Sequence, residues 1–250
     1  MRSERVITPD LSGRTALVTG SAKGVGRELL LSLADCGASV AVHYNTSDEE
    51  AQSVAEQAAE LGVEVTIVQG DVTDPVAVDE LFDAVEDELG DVDILVNNVG
   101  AFAPSHWEEI SFGTWNRVLE TNLNGTYLCS KRALPGMRER EWGRIVNVGY
   151  ASADRLLVSP KNFPYFVAKA GVIMFTRMLA ADTQDDGITV NAVSPYVVEN
   201  SEVFPDDLPR GRPANFDDMA QAMRFFLDED SDYLSGQNVA VDGGWRPERV

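Results

Sequence analysis

Short apolar runs rich in β-branched residues alternate with longer helical patterns along almost the whole 250-residue chain, and that alternation leaves few folds open. Strand-like runs stand at Arg14–Thr19, Ser39–His43, Val63–Val68, Val92–Val96, Arg144–Val148, Ile188–Val193 and Asn238–Val241. Ser47 is placed to cap an acidic helix reaching Leu61, and Asp74-Pro75 opens another with Pro at the first helical position. One long helix is expected from about Phe112 to Glu139 and another from Pro164 to Asp182. Strands alternating with helices predict a parallel sheet covered on both faces. No repeat, linker or low-complexity tract divides the chain, so residues 1–250 read as one α/β domain with a core from about 12 to 245.

Charge narrows the partners. Asp and Glu number 41 against 20 Lys and Arg, a formal charge of −21, and only Lys23, Lys131, Lys161 and Lys169 are lysines. Such a surface repels nucleic-acid phosphates and anionic membranes. Acid-rich, lysine-poor surfaces also suit concentrated salt, where self-repulsion is screened to a few ångströms. A salt-loving host cytoplasm is therefore expected. No run of 18 apolar residues marks a membrane span, and the N-terminus lacks a secretory apolar stretch. Cys36 and Cys129 fall in apolar helical patterns and read as core thiols of a reducing compartment.

Thr19-Gly20-Ser21-Ala22-Lys23-Gly24-Val25-Gly26 joins the first strand to the first helix. Glycines there permit a tight turn, close backbone approach to a pyrophosphate and close helix–sheet packing. Backbone N–H groups at the helix start then hold the phosphates. NAD enzymes usually carry an acidic residue after the second strand, and Val42-His43-Tyr44-Asn45-Thr46-Ser47 has none. Lys23 adds positive charge suited to a 2′-phosphate, so NADP(H) is preferred, with NAD(H) still possible and Asp48–Glu50 opposing the phosphate. The proline-broken segment 196–215 follows a strand's C-terminal end and reads as a lid over substrate.

Tyr165 and Lys169 stand four residues apart, a spacing that places them about 5–6 Å apart on one helix face. A lysine ammonium there lowers a phenol pKa that is about 10 when unperturbed. A phenol so tuned can exchange a proton with a carbonyl or alcohol oxygen near neutral pH.

Taken in order, Thr19 to Gly26, Asp71-Val72, Asn97-Asn98-Val99-Gly100, Asn122, Tyr165-x-x-x-Lys169, Ser194-Pro195 and Asp242-Gly243-Gly244 resemble the short-chain dehydrogenase/reductase family. The resemblance implies a doubly wound, Rossmann-like fold, NAD(P), and hydride transfer at a carbonyl or alcohol carbon of a small molecule. It makes Tyr165 the proton donor, Lys169 a ribose ligand and Asn122 the holder of a relay water, or otherwise a helix-kink residue. Asp71 and Val72 would flank the adenine, while Asn98 and Gly100 line the cofactor. The nearest resemblance is to 3-oxoacyl-thioester reductases. A pteridine or dihydrofolate reductase is the close rival, and a non-catalytic NADP-binding scaffold or sensor the distant one. Relatives are commonly dimers or tetramers built through the long helices.

Three positions depart from the family pattern. The usual serine ending the fifth strand falls on Tyr150 if read without gaps, or on Ser152 if counted 13 back from Tyr165, and Ser152 is preferred. Pro-Gly becomes Pro195-Tyr196, and the threonine that often follows becomes Asn200. Backbone contact from Val198 to the nicotinamide amide is expected to survive. His43 and His106 lack metal-site spacing, no metal is expected, and Trp107, Trp115, Trp142 and Trp245 read as packing residues.

Overall fold

The computed structural model describes residues 8–155, 160–201 and 204–245. The strands are β1 (Thr15–Val18), β2 (Ser39–Tyr44), β3 (Val65–Gln69), β4 (Ile94–Asn97), β5 (Gly143–Val148), β6 (Ile188–Pro195) and β7 (Asn238–Val241). All pair in parallel, in the order β3-β2-β1-β4-β5-β6-β7. The helices are α1 (Gly24–Asp35), α2 (Asp48–Glu60), α3 (Pro75–Leu89), α4 (Phe112–Leu119), α5 (Gly125–Glu139), α6 (Phe163–Asp182) and α7 (Phe216–Leu227). The order reverses between β1 and β4, the switch point where open α/β sheets take ligands at strand C-termini.

Both sheet faces are dry, because period-two side chains need cover on each side. Ala16 and Val18 of β1 face one apolar cluster with Leu29 and Leu33 of α1, Val54 of α2 and Met223 of α7. Leu17 faces the other, with Leu81 and Phe82 of α3 and Cys129 and Met137 of α5. Cys36 and Cys129 are free, buried thiols, and burial pushes Cys129 up to about 12. Helix α6 is long and apolar enough to cross a membrane by length and composition, yet half of that stretch is buried inside the fold.

Three local expectations change. The helix expected from 112 to 139 is interrupted by a π-type turn over Glu120–Asn124. Asn122 causes it: its Nδ2 donates to Val118 O at 2.8 Å, competing for the carbonyl that an α-turn would use, and to Ala101 O at 2.9 Å. Ser47 caps nothing with its side chain, since its hydroxyl accepts from Lys23 Nζ at 2.8 Å. Helix α7 escaped the periodicity reading behind the proline-rich segment, although Asn215 and Asp218 form a capping box that announces it. Asp74 does cap α3, accepting from Val76 N at 2.9 Å.

Candidate active site

The turn after β1 is built to stay bare. Gly20 and Gly24 have φ of 66° and 60°, a region that favours glycine. A Cβ on Gly26 would lie 2.4 Å from Gly20 O and from Asn98 Nδ2. No side chain caps the start of α1, so its first backbone N–H groups face outward as an anion site requires. Asn98 latches the turn: its Nδ2 donates to Thr19 O at 2.9 Å and its N–H to Thr19 Oγ1 at 2.9 Å. Asn200 Nδ2 approaches Gly24 from the opposite loop, 2.7 Å from where a Cβ would be.

A buried histidine completes the scaffold. His43 Nδ1 accepts from Gly20 N at 2.8 Å, and Nε2 donates to Gly70 O at 3.1 Å, which fixes the Nε2–H tautomer. Its backbone exchanges hydrogen bonds with Ser21, whose N–H donates to His43 O and whose hydroxyl accepts from His43 N. Burial lowers the His43 pKa to about 4, keeping the ring neutral. Sequence reasoning found no role for this residue; its place at the end of a strand beside the glycine turn was the available signal.

At the C-terminal ends of β4 and β5 a second group converges. Lys169 Nζ donates to Val148 O at 2.6 Å and lies 5.8 Å from the Tyr165 ring centre. A Cβ on Gly100 would fall 2.9 Å from Asn122 Oδ1 and 3.8 Å from Lys169 Nζ, so this glycine leaves open the space on which both groups border. Asn122 Oδ1 and Ser152 Oγ are buried without hydrogen-bond partners among the described residues. Asn162, left-handed at φ 60°, accepts from Ala103 N at 2.8 Å and so ties the segment after β4 to the start of α6. Phe102, in that segment, stacks on Tyr165 at 4.4 Å.

The electrostatics differ from the sequence expectation in one respect. Burial, reinforced by the Tyr150 phenol, raises the Tyr165 pKa well above the ordinary phenol value. Burial also pulls Lys169 down to about 8. The amine donates to the Val148 carbonyl, not to the phenol, so the expected lowering of Tyr165 is absent in the protein alone. Tyr150 is likewise raised by burial, with Ser152 opposing the rise.

A family model described as Enoyl-(Acyl carrier protein) reductase matches residues 20–246. The chain is 33% identical over 241 residues to the 3-oxoacyl-[acyl-carrier-protein] reductase FabG of Staphylococcus aureus, covering 92% of this chain and 97% of that one. The chain belongs to the short-chain dehydrogenase/reductase family. Two solved structures of this family superpose closely. The landomycin C-6 ketoreductase LanV with bound NADP and rabelomycin gives a TM-score of 0.86 at 30% identity, covering 94% and 97% of the two chains. The gluconate 5-dehydrogenase of Burkholderia cenocepacia with NADP and tartrate gives 0.88 at 29%, covering 95% and 97%.

These residues suit a dinucleotide, with a bare glycine turn, an uncapped helix start and, near Lys169, an Asn122 Oδ1 that has no hydrogen-bond partner among the described residues. Lys23, Ser47 and Asn45 gather at the end of β2, where Asn45 O accepts from Gln69 Nε2 at 2.9 Å and Tyr44 OH donates to Asp48 at 2.7 Å. Asp71 accepts from Thr73 N at 2.9 Å, and that bond and the Thr73 hydroxyl hold its carboxyl below the usual range. Val72 is buried, and Gly125 admits it: a Cβ there would meet Val72 Cγ2 at 2.9 Å. Val25 packs against the core of the first face. Pro195 O accepts from Ala151 N at 3.0 Å, joining the ends of β5 and β6. The Val198 N–H, expected to be free for the nicotinamide amide, donates to Ser201 Oγ at 3.1 Å and must exchange that partner first. At the base of the expected lid, Glu199 N donates to Ala214 O and Ala214 N to Val197 O, each at 2.9 Å; residues 202–203, like 156–159 ahead of Tyr165, lie outside the described residues.

Proposed function

We propose that this protein is an NADPH-dependent carbonyl reductase in which Tyr165 protonates the substrate oxygen. This reading is carried by Lys169, which borders the space left by Gly100 together with Asn122 and lies 5.8 Å from the Tyr165 ring centre. NADPH, when bound, supplies the hydride. Gly20, Ser21, Gly24, Val25 and Gly26 would hold its pyrophosphate on α1, Lys23 with Tyr44 and Asn45 its 2′-phosphate, and Asp71 and Val72 its adenine. Asn98, Gly100, Pro195 and Val198 would line the nicotinamide end, with Lys169 on the ribose. Tyr165 gives its proton to the oxygen, Lys169 lowers the cost of the phenolate once its charge faces the site, and Asn122 Oδ1 accepts from the relay that returns the proton. Ser152 Oγ, 1% exposed and without a hydrogen-bond partner among the described residues, is the donor that fixes the carbonyl oxygen.

The similarity to acyl-carrier-protein reductases supports a 3-oxo compound as substrate, and the NADP in the solved relatives supports NADPH over NADH. Residues 196–201 and 204–215, beyond the C-terminal end of β6, are read as the cover over the substrate. Assembly into a homo-oligomer is supported by exposed Val167, Met174 and Met178 on α6 and Tyr127 on α5, an apolar stripe with no cover in a single subunit. Purified protein is assayed for loss of NADPH absorbance with acetoacetyl-CoA, repeated with NADH. Turnover with NADPH at a kcat/KM at least tenfold above NADH supports the reading; silence with every ketone defeats it.

A further inference from the structure

Four adjacent strands each deliver an aromatic ring just beyond their C-terminal ends: Phe102 after β4, Tyr150 after β5, Tyr196 after β6 and Trp245 after β7. The rings are contiguous with the proton donor. Phe102 lies 4.4 Å from Tyr165 and Tyr150 lies 5.8 Å from it, edge-on. Tyr150 is 6.4 Å from both Tyr196 and Trp245, which stack on each other at 3.7 Å and 11°. Of these rings Tyr196 also lines an open cavity of about 370 Å³, shared with Leu208, Pro209 and the turn at Val241–Gly244 and rimmed by Arg210, Arg212 and Asp218.

Simple packing does not account for this arrangement. Phe102 remains 60% exposed although it stacks on a buried catalytic phenol. Cavities of some 300–1,000 Å³ suit drug-sized ligands. Ring faces reward flat π-systems, through offset or edge-to-face contact, beyond the area they bury. A flexible acyl chain gains the buried area alone.

Resting on the carbonyl-reductase reading, we infer that the preferred substrate is a planar ring ketone, an aryl or fused-ring carbonyl compound, whose ring lies along the Phe102–Tyr150–Tyr196–Trp245 wall. The reaction is unchanged: the carbonyl carbon gains hydride from NADPH, which is oxidised to NADP⁺, the C=O π bond breaks, and the oxygen takes the Tyr165 proton. Trp245, read from sequence as a packing residue, becomes part of the wall that selects the substrate.

The test measures kcat/KM with NADPH for ethyl benzoylacetate and 2-tetralone against acetoacetyl-CoA and ethyl acetoacetate, and then for Tyr196→Leu. Ring ketones are expected to exceed linear ones at least tenfold, with that ratio falling to about threefold or less in Y196L. NADPH affinity and melting temperature of Y196L verify that it is folded, and the wild-type series stands if it is not. Equal or better turnover of linear ketones overturns the inference while leaving the carbonyl-reductase reading intact. Preference for a dihydropteridine over every ketone also overturns it. Silence with all of them overturns both.

Discussion

His43 Nδ1 accepts the backbone N–H of Gly20 at 2.8 Å, so a neutral imidazole at the end of β2 fixes the first glycine of the cofactor turn. Protonation would place a second donor against that N–H, leaving Asp71 as its only nearby counter-charge. The folded pKa is about 4, below an unfolded value of about 6.5. Stability is therefore unaffected above the unfolded pKa, falls as pH drops from about 6.5 towards 4, and loses no more below that. The full loss is about 3 kcal/mol. Melting temperature followed from pH 7 to pH 4 measures it, and His43→Asn, which cannot titrate, should flatten that part of the curve and bind NADPH roughly tenfold more weakly for want of a matched acceptor.

Replacing Tyr165 with Phe keeps the stack on Phe102 and removes the proton. Turnover should fall about 10²–10⁴-fold, the usual worth of a general acid. NADPH binding, followed by fluorescence titration, should stay within about threefold. Undiminished turnover would assign the proton to another group.

Two hydroxyls compete for the carbonyl oxygen. Ser152 Oγ is buried with no strict hydrogen-bond partner among the described residues, yet it lies near enough to the Tyr150 phenol to oppose the rise that burial imposes on it. Ser152→Ala should cost about 10²–10³ in kcat, the effect of losing one oxyanion donor. Tyr150→Phe preserves the ring and should cost less than about tenfold. The reverse ranking moves the donor role to Tyr150.

Gly26→Ala should abolish cofactor binding and lower the melting temperature, because its methyl group would meet Gly20 O at 2.4 Å and the backbone there cannot yield. Overpacking of this kind costs about 1–3 kcal/mol. Calorimetry with NADPH, beside circular dichroism of the variant, separates lost binding from lost fold.

With a formal charge of −21, stability should rise steeply with KCl. Local pairs moderate the repulsion without cancelling it: Arg132 faces Asp79, Asp83 and Glu86, and Arg138 faces Asp182 and Asp186. A melting temperature that is flat between low salt and molar KCl would remove the salt-loving host from consideration.

The strands were legible because burial on both faces of a parallel sheet writes continuous apolar runs, and every strand end lies within two residues of its expectation. The glycine turn and the Tyr165–Lys169 pair were legible because spacing alone dictates them. What stayed hidden depends on long-range contact. His43 reads as an ordinary strand residue until Gly20 and Gly70 are brought to it from either side. Asn162 gives no hint in sequence of holding the segment that carries Phe102. Nor could spacing show that Lys169 donates to Val148 rather than acting on the phenol. Spacing likewise leaves both Tyr150 and Ser152 open as the oxygen donor, because the two readings differ only in where the chain between β5 and α6 takes up its extra residues.

The wide turn at Glu120–Asn124 holds one residue more than an α-helical turn would at this point of the chain. Each helical residue advances the backbone by about 100°, at 3.6 residues per turn. Closed as an ordinary α-turn, the extra residue would swing α5 by that angle and carry Cys129, Ala133 and Met137 away from the sheet, so the wide turn keeps α5 in register while it presents the Asn122 amide beside Gly100. Loss of one residue at this turn would let the helix run on with its core face intact while taking the amide from the site, so fold and chemistry part company here.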